Sequence, residues 1–237
     1  MKRMTSEKTE PQSDSQLTPM NRRNFLLFSG AAAITTAFVA SCKKDDDDPT
    51  PTPNEVNLGS GDTGILNYAY ALEQLEAAFY TQVVASSYYL NNASADEKQI
   101  LIDLKNHEVA HREFFAAALG SGKIANLEVD FSSINFGDRS SVLNTAKAFE
   151  DLGVSAYNGA GNLLKSADYL VLAGQIVSVE ARHAAAIRDL LNPLSADFAG
   201  DDIIDGNGLD LARKPDAVLG IASKYIKTKI NASNLPK

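Results

Sequence analysis

Two short motifs in this chain combine residue types that bind metal ions. Glu-x-x-His occurs at Glu108–His111 and again at Glu180–His183, although the chain has only three histidines. A glutamate and a histidine three positions apart lie on one face of a helix, so their oxygen and nitrogen atoms can approach the same ion. Two facing helices of this kind could hold two ions. The third histidine, His107, precedes the first motif and is either an extra ligand or a residue outside the ligand set.

Four segments with helical spacing of apolar residues would position these motifs. The predicted helices cover residues 62–90, a segment from the Ser94–Glu97 capping box to Gly120, residues 140–165 and residues 167–191. The second and third are joined by residues 121–138, which can span roughly 55–60 Å, whereas a 25-residue helix is roughly 38 Å long. The other two connections are tight and predict antiparallel neighbours. The sequence therefore predicts an all-α four-helix bundle with one long crossover between helices two and three.

The chain divides into four predicted regions. Residues 1–41 form a signal peptide, residues 42–61 an acidic and proline-rich tether, and residues 62–192 the bundle. Residues 193–237 form a C-terminal loop and a short helix, predicted from Lys214 to Ile230, that packs on the bundle. The acidic stretch at 201–210 lacks the spacing and terminal glutamate of a calcium-binding loop, so we interpret it as a polar loop.

The N-terminal region carries features of bacterial export. Asn-Arg-Arg-Asn-Phe at residues 21–25 resembles a twin-arginine signal, and Val-Ala-Ser-Cys at residues 39–42 resembles the lipobox at which lipoproteins are cleaved and lipidated. The alternative is an ordinary signal peptide in which Cys42, the only cysteine, is incidental. The resemblance implies membrane attachment through a lipidated Cys42, in the periplasm or at the outer membrane or surface of a bacterium.

Composition limits the partners and suggests an oxidising environment. The net charge of −8 argues against nucleic acid as a partner. All three methionines, Met1, Met4 and Met20, lie in the predicted signal peptide, and the chain has no tryptophan. The predicted mature region therefore lacks methionine, tryptophan and a free thiol, which are readily oxidised groups. This pattern reflects either selection for exposure to peroxide or an accident of composition.

The helical region resembles the ferritin-like superfamily of di-iron and di-manganese carboxylate proteins, in particular the ferritin-like domains of desiccation-related and uncharacterised bacterial proteins. The strings LEQLEAAFY at 72–80 and VEARH at 179–183 carry the resemblance, which covers residues 62–192. The family pattern takes one glutamate from each of two helices and Glu-x-x-His from each of the other two. It implies a set of six metal ligands: Glu73, Glu108, His111, Glu150, Glu180 and His183.

Several assignments around this set stay open. Glu76 lies one turn from Glu73 on the same helix face and competes with it as a ligand. Tyr80 and Tyr157 are either hydrogen-bond donors near the site or core packing residues. Burial of a carboxylate without a partner destabilises the folded protein, and a pair of metal ions would remove this unfavourable free energy. The alternative for the whole set is a buried salt-bridge network whose cationic partners would be Arg112, Arg182 or Arg188.

The resemblance implies two iron or manganese ions, because carboxylates with one imidazole per ion suit these metals. The implied chemistry is oxidation of ferrous iron or reduction of peroxide, with O₂ or peroxide as the oxidant, in oxidative or desiccation stress. A non-enzymatic role as a stress-associated or metal-binding envelope protein and a manganese catalase-like activity are the alternatives. A homo-oligomer is compatible with the sequence, but a storage shell is not expected, because a lipid anchor would hinder its closure.

Overall fold

The computed structural model describes residues 54–237, so the predicted signal peptide, Cys42 and most of the predicted tether lie outside the described residues. Four long helices form the bundle: α1 (Gly61–Val84), α2 (Ala95–Leu119), α3 (Arg139–Gly161) and α4 (Ala167–Leu191). α1 packs mainly on α2, and α3 packs mainly on α4. The predicted all-α bundle with a long crossover between the second and third helices is confirmed.

Helix ends follow the signals in the sequence. Ser94 and Glu97 form the predicted capping box at the start of α2, with reciprocal hydrogen bonds of 3.2 and 2.9 Å between side chain and backbone. Asp138 accepts a 2.7 Å hydrogen bond from the backbone of Ser141 and caps α3. Gly120 ends α2 with a φ of 54°, a conformation that side chains disfavour. Gly120 and Asp138 therefore mark the two ends of the long crossover.

The first helix is shorter than predicted. α1 ends at Val84, and a separate π-helical turn, Tyr88–Asn92, replaces the last predicted turn. The side chain of Tyr88 is buried, and its backbone N–H donates to the carbonyl of Phe136 in the crossover. The chain bends because this packing against a distant segment outweighs local helix propensity.

The crossover runs along α1 and is fixed by two polar side chains. Asn67 bonds the backbone of Gly122 and Ile124 at 2.9 and 3.0 Å, and Gln74 accepts from the backbone of Leu127 at 2.8 Å. Asn67 and Gln74 are seven residues apart, so they lie on one face of α1. This path brings the later part of the crossover to the opposite end of the bundle.

The C-terminal region differs from its prediction. The predicted helix from Lys214 to Ile230 is reduced to α5 (Pro215–Ala222), and it is followed by strand β2 (Lys229–Asn231). β2 pairs in parallel with β1 (Glu55–Asn57), which lies in the predicted tether. Helical periodicity in so short a segment does not reveal pairing with residues about 170 positions away, because such pairing is decided by tertiary contacts. The last residues assigned to the tether therefore belong to the folded unit.

A buried arginine attaches the C-terminal loop to the bundle. The Arg188 side chain on α4 is 2% exposed and donates to both carboxylate oxygens of Asp151 and of Asp202, at 2.7 to 3.0 Å. We expect Arg188→Ala to lower the free energy of unfolding by about 3 kcal/mol, because it leaves a half-buried carboxylate unpaired. Urea unfolding beside the variant of exposed Arg182, Arg182→Ala, measures this. Equal stability of the two variants would contradict this role of Arg188.

Candidate metal centre

The structure brings together all six residues that the sequence assigned as ligands. They lie in one layer across the middle of the bundle, on the inward faces of the four long helices. The four glutamates are 0% exposed, and the side chains of the two histidines are 4% and 14% exposed. The pair of helices α1 and α2 supplies three of the residues, and the pair α3 and α4 supplies the other three. They are Glu73 on α1, Glu108 and His111 on α2, Glu150 on α3, and Glu180 and His183 on α4.

The six side chains form two overlapping groups of ligand atoms, each of which could hold a metal ion. The first ligand group is Glu73, Glu108, His111 and Glu180, and the second ligand group is Glu108, Glu150, Glu180 and His183. In each group the ligand atoms lie within 4.8 Å of one another. Glu108 and Glu180 belong to both groups, so either carboxylate could bridge neighbouring ions.

The distances inside the cluster match those of metal-ligand atoms. His111 Nδ1 lies 2.8 Å from Glu180 Oε1, and His183 Nδ1 lies 2.8 Å from Glu108 Oε1. Two atoms that each lie about 2.1 Å from an ion, at right angles to each other, are about 3 Å apart. The separations therefore suit an ion placed between the side chains.

The cluster leaves eight buried polar atoms without a hydrogen bond among the described residues. Buried polar atoms are rarely left unpaired, because each one has lost its contact with water. In Glu73 and Glu150 only one oxygen is unpaired, since the other accepts a hydrogen bond from a tyrosine. The unpaired atoms are Oε2 of Glu73 and Glu150, both oxygens of Glu108 and Glu180, and Nδ1 of His111 and His183. A metal ion in each group would satisfy these atoms, so the residues fit a metal centre.

The alternative of an arginine-based salt-bridge network does not describe this cluster. Arg112 pairs with Glu113 on the surface of α2, and Arg188 pairs with Asp151 and Asp202. Within residues 54–237, no ion pair of a lysine or arginine includes one of the six cluster residues. Four buried carboxyl groups therefore face only two imidazoles, so the cluster must either hold protons or bind cations.

Burial and mutual repulsion hold protons in this cluster. Burial raises the pKa of Glu150 from 4.5 to about 7, and burial together with the charge of Glu180 raises the pKa of Glu108 well above its usual value. Burial would also raise the pKa of Glu180, but His111 and His183 lower it to about 2. A metal ion would displace the shared protons, because ligands bind in their deprotonated form.

Tyr157 and Tyr80 each donate a hydrogen bond to one of the two glutamates, Glu73 and Glu150, that belong to a single ligand group. Tyr157 on α3 donates to Glu73 on α1, and Tyr80 on α1 donates to Glu150 on α3 at 2.5 Å. The two helices share the pattern Glu-x-Leu-x₄-Tyr, at residues 73–80 and 150–157. Of the two roles left open for Tyr80 and Tyr157, the hydrogen bonds support that of donors near the site. The repeat was not used to predict these contacts, although it places a glutamate and a tyrosine at the same spacing on both helices.

Glu76, the competing ligand, lies beside the cluster but contributes no atom to either ligand group. It is 3% exposed, and burial, followed by the charges of Glu108 and Glu180, raises its pKa well above the usual value. The corresponding position in the repeat on α3 is Gly153, where an added Cβ would lie 3.1 Å from Glu76 Oε1. The small residue on α3 therefore makes room for the extra carboxylate on α1.

His107 lies outside both ligand groups and contacts the cluster from the surface. Its Nδ1 is 2.9 Å from Nε2 of His183, and the planes of the two rings are nearly parallel, at an angle of 10°. When Nδ1 of His183 binds a metal, its Nε2–H can donate to His107. His107 therefore orients the His183 ring, so we interpret it as a positioning residue and not as a ligand.

Loss of this contact should weaken one ligand group selectively. We expect His107→Ala to lower the affinity of the second ligand group for Mn²⁺ or Fe²⁺ by about ten- to a hundredfold, the usual effect of removing a partner of a ligating histidine. Anaerobic calorimetric titration would show one weakened site and one unchanged site. His107→Gln, which keeps an acceptor, should restore part of the affinity, whereas wild-type affinity in His107→Ala would contradict the positioning role.

Comparison with known proteins agrees with this geometry. The sequence profile of a family described as "Ferritin-like domain" matches residues 61–193, more than half of the chain and all four long helices. A search of curated proteins gives no significant match. The four-helix bundle, the buried carboxylate and histidine cluster and the profile match support a metal-binding protein. They show that the chain belongs to the ferritin-like domain family.

Proposed function

We propose that this protein binds a di-iron or di-manganese carboxylate centre in its two ligand groups and uses it to oxidise ferrous iron or to reduce peroxide. The observation that carries the proposal is the set of eight unpaired, buried ligand atoms that converge on two neighbouring positions. Among the described residues, no lysine or arginine pairs with these six side chains, so binding of two ions is the use that their chemistry supports. The shared carboxylates, Glu108 and Glu180, would keep those ions close together.

The donor set favours iron or manganese. Each ligand group offers three carboxylates and one imidazole, and no cysteine takes part. Structural zinc sites are tetrahedral and usually include thiolates, whereas carboxylate-rich sites with more ligand positions suit iron and manganese. When bound, two such ions can supply two electrons to O₂ or peroxide.

The protein's own residues would bind the ions, hold their ligands in place and exclude water. Tyr157 and Tyr80 fix the outer oxygens of Glu73 and Glu150, so each carboxylate presents its other oxygen to the cluster. The four glutamates are fully buried, which strengthens their attraction for cations. The excess of carboxylates over imidazoles offsets the charge of two divalent ions.

We also propose that the protein acts in the bacterial envelope, anchored through a lipidated Cys42, during oxidative or desiccation stress. Support comes from the lipobox-like residues 39–42, the twin-arginine-like residues 21–25 and the scarcity of oxidisable side chains after residue 41. The twin-arginine pathway transports folded proteins, which suits a protein whose cofactor is inserted before export.

The redox proposal is tested by loading the protein anaerobically with ferrous iron and then adding O₂ or hydrogen peroxide. Absorbance of ferric iron should rise faster in wild-type protein than in Glu180→Gln, and one peroxide should be consumed for every two ferrous ions oxidised. Manganese-loaded protein is tested with peroxide in an oxygen electrode, where rapid oxygen evolution would support the catalase-like alternative. Bound metal without any acceleration would contradict the redox role and favour a binding role.

A further inference from the structure

An apolar cavity of about 30 Å³ lies inside one end of the bundle, where α1 and α4 begin and where α2 and α3 end. Side chains from all four long helices line it, and its wall is almost wholly apolar. Half-buried side chains such as Leu66 and Leu172 form its outer part, so the cavity communicates with the surface. None of the six cluster residues belongs to its wall.

The two ends of the bundle are packed differently. Toward the opposite end, five aromatic rings from α1, α3, the crossover and the C-terminal segment pack together, with contacting ring centroids 4.8 to 6.5 Å apart. At the cavity end, inward positions that could carry large side chains hold Ala69 on α1 and Ala160 on α3. Protein interiors are otherwise close-packed, so small residues here keep a space open that larger ones would fill. These five rings belong to Phe79, Phe131, Phe136, Phe149 and Tyr225.

The inner end of the cavity lies close to the first ligand group. Leu72 and Ile176 line it, and they lie next to Glu73 and four residues before Glu180, respectively. Phe115, another wall residue, is one helical turn beyond His111. Tyr157 also lines the cavity and donates its hydroxyl hydrogen to Glu73. The cavity therefore ends about one helical turn from three residues of the first ligand group.

We propose that this cavity binds dioxygen beside the first ligand group and is its route to the centre. Apolar cavities stay dry and take up uncharged molecules such as xenon. Ferrous ions and peroxide need hydrogen bonds or charges that an apolar wall does not provide. The small volume excludes larger apolar ligands. This use of the cavity rests on the proposed redox function, although gas binding itself does not.

A separate polar approach to the cluster lies on the histidine side. The His111 side chain is 14% exposed, and His107 is exposed at the surface. Both are on α2, where they face α4 through His183. This side therefore offers polar atoms close to the surface, which the apolar wall lacks, and cations and peroxide would approach the ligand groups from here. If O₂ uses the cavity and peroxide uses the histidine side, blocking the cavity should slow only the reaction with O₂.

Xenon binding tests the cavity without any metal. Crystals of the metal-free protein pressurised with xenon should show one xenon atom between Ala69 and Ala160. The Ala160→Leu variant, which fills the space, should lose that atom. Absence of xenon in the wild-type cavity would overturn the proposal, whether or not the protein binds metal, so a failure here differs from a failure of the proposed function.

Two oxidants then test the route. In iron-loaded Ala160→Leu with wild-type metal content, oxidation by O₂ should slow by about tenfold, which corresponds to a higher barrier to access, while oxidation by peroxide should keep its wild-type rate. Ala69→Val, a smaller change, should slow the O₂ reaction less and guards against misfolding of the first variant. An unchanged O₂ rate, or equal slowing with both oxidants, would overturn the route.

Discussion

Replacing the shared carboxylate Glu108 by glutamine should abolish tight metal binding while leaving the metal-free protein as stable as wild type or more stable. Both oxygens of Glu108 are buried and unpaired, and both ligand groups include this residue. The substitution removes a ligand from two positions at once, so we expect affinity to fall by more than about a hundredfold, beyond the effect of losing an outer-shell partner.

The stability of the same variant separates two explanations of the cluster. Burial and neighbouring carboxylates raise the pKa of Glu108, so the charged form is disfavoured in the metal-free protein. Glutamine keeps the shape of the side chain and, like the protonated carboxyl group, has no charge to bury, so we expect the metal-free variant to be at least as stable as the wild type. A salt-bridge role would instead make Glu108→Gln about 3 kcal/mol less stable.

Calorimetric titration with Mn²⁺ and thermal unfolding in chelator measure the two effects. Glu113→Gln is the matched control, because Glu113 is on the same helix and its side chain is 64% exposed. It should bind metal as wild type does. Tight binding by Glu108→Gln, or a large loss of stability in its metal-free form, would contradict the assignment of Glu108 as a shared ligand.

Removing the metal should lower the melting temperature by about 10 °C near neutral pH, because a ligand at about a thousand times its dissociation constant stabilises by about 4 kcal/mol. The metal-free protein should also lose stability as the pH rises from about 5 to about 8. Metal binding releases the protons held by the cluster, so it becomes more favourable as the pH rises. The difference in melting temperature between the two forms should therefore widen with pH.

The loss of stability of the metal-free protein with rising pH follows from the pKa shifts of the cluster. The folded pKa of Glu150 is about 7, above its ordinary 4.5, so its protonated form stabilises the fold below about pH 4.5 and this contribution disappears through about pH 7. Glu150 alone accounts for about 3 kcal/mol over that range. Glu73, Glu108 and His183 also have raised pKa values and act in the same direction. The pKa of Glu180 is lowered to about 2, so its contribution is constant above about pH 4.5.

Differential scanning calorimetry of chelator-treated and metal-loaded protein at several pH values tests this prediction. The ion pair between Arg188 and Asp202 should not contribute to this pH dependence. The arginine stays charged, and the pKa of Asp202 is lowered to about 2, below the tested pH range. A melting temperature of the metal-free protein that rises between about pH 5 and pH 8 would contradict the account, since the raised carboxyl pKa values require the opposite slope.

The sequence was sufficient to predict the bundle because its signals are local. The Ser94–Glu97 capping box, Asp138 and Gly120 set helix ends through hydrogen bonds to residues a few positions away. Helix lengths and the length of the crossover then restrict the topology. The six cluster residues could be nominated from helical spacing and the family resemblance, and the structure places them in one layer.

Other features depend on contacts between distant segments. The parallel pairing of Glu55–Asn57 with Lys229–Asn231 joins the two ends of the folded unit, and neither strand is identifiable from its own three residues. The contact between the His107 and His183 rings depends on the relative rotation of α2 and α4. The apolar cavity depends on side-chain volumes from four helices together. Local periodicity contains none of this information.

Metal content measured by mass spectrometry is the most direct test of the central claim. The protein should be purified without chelator beside a variant that carries both Glu108→Ala and Glu180→Ala, the two residues shared by the ligand groups. We predict about two iron or manganese ions per chain in the wild type, the number that this family pattern holds, and loss of both in the variant. A well-folded wild-type protein that is free of metal and cannot be reconstituted would contradict the account.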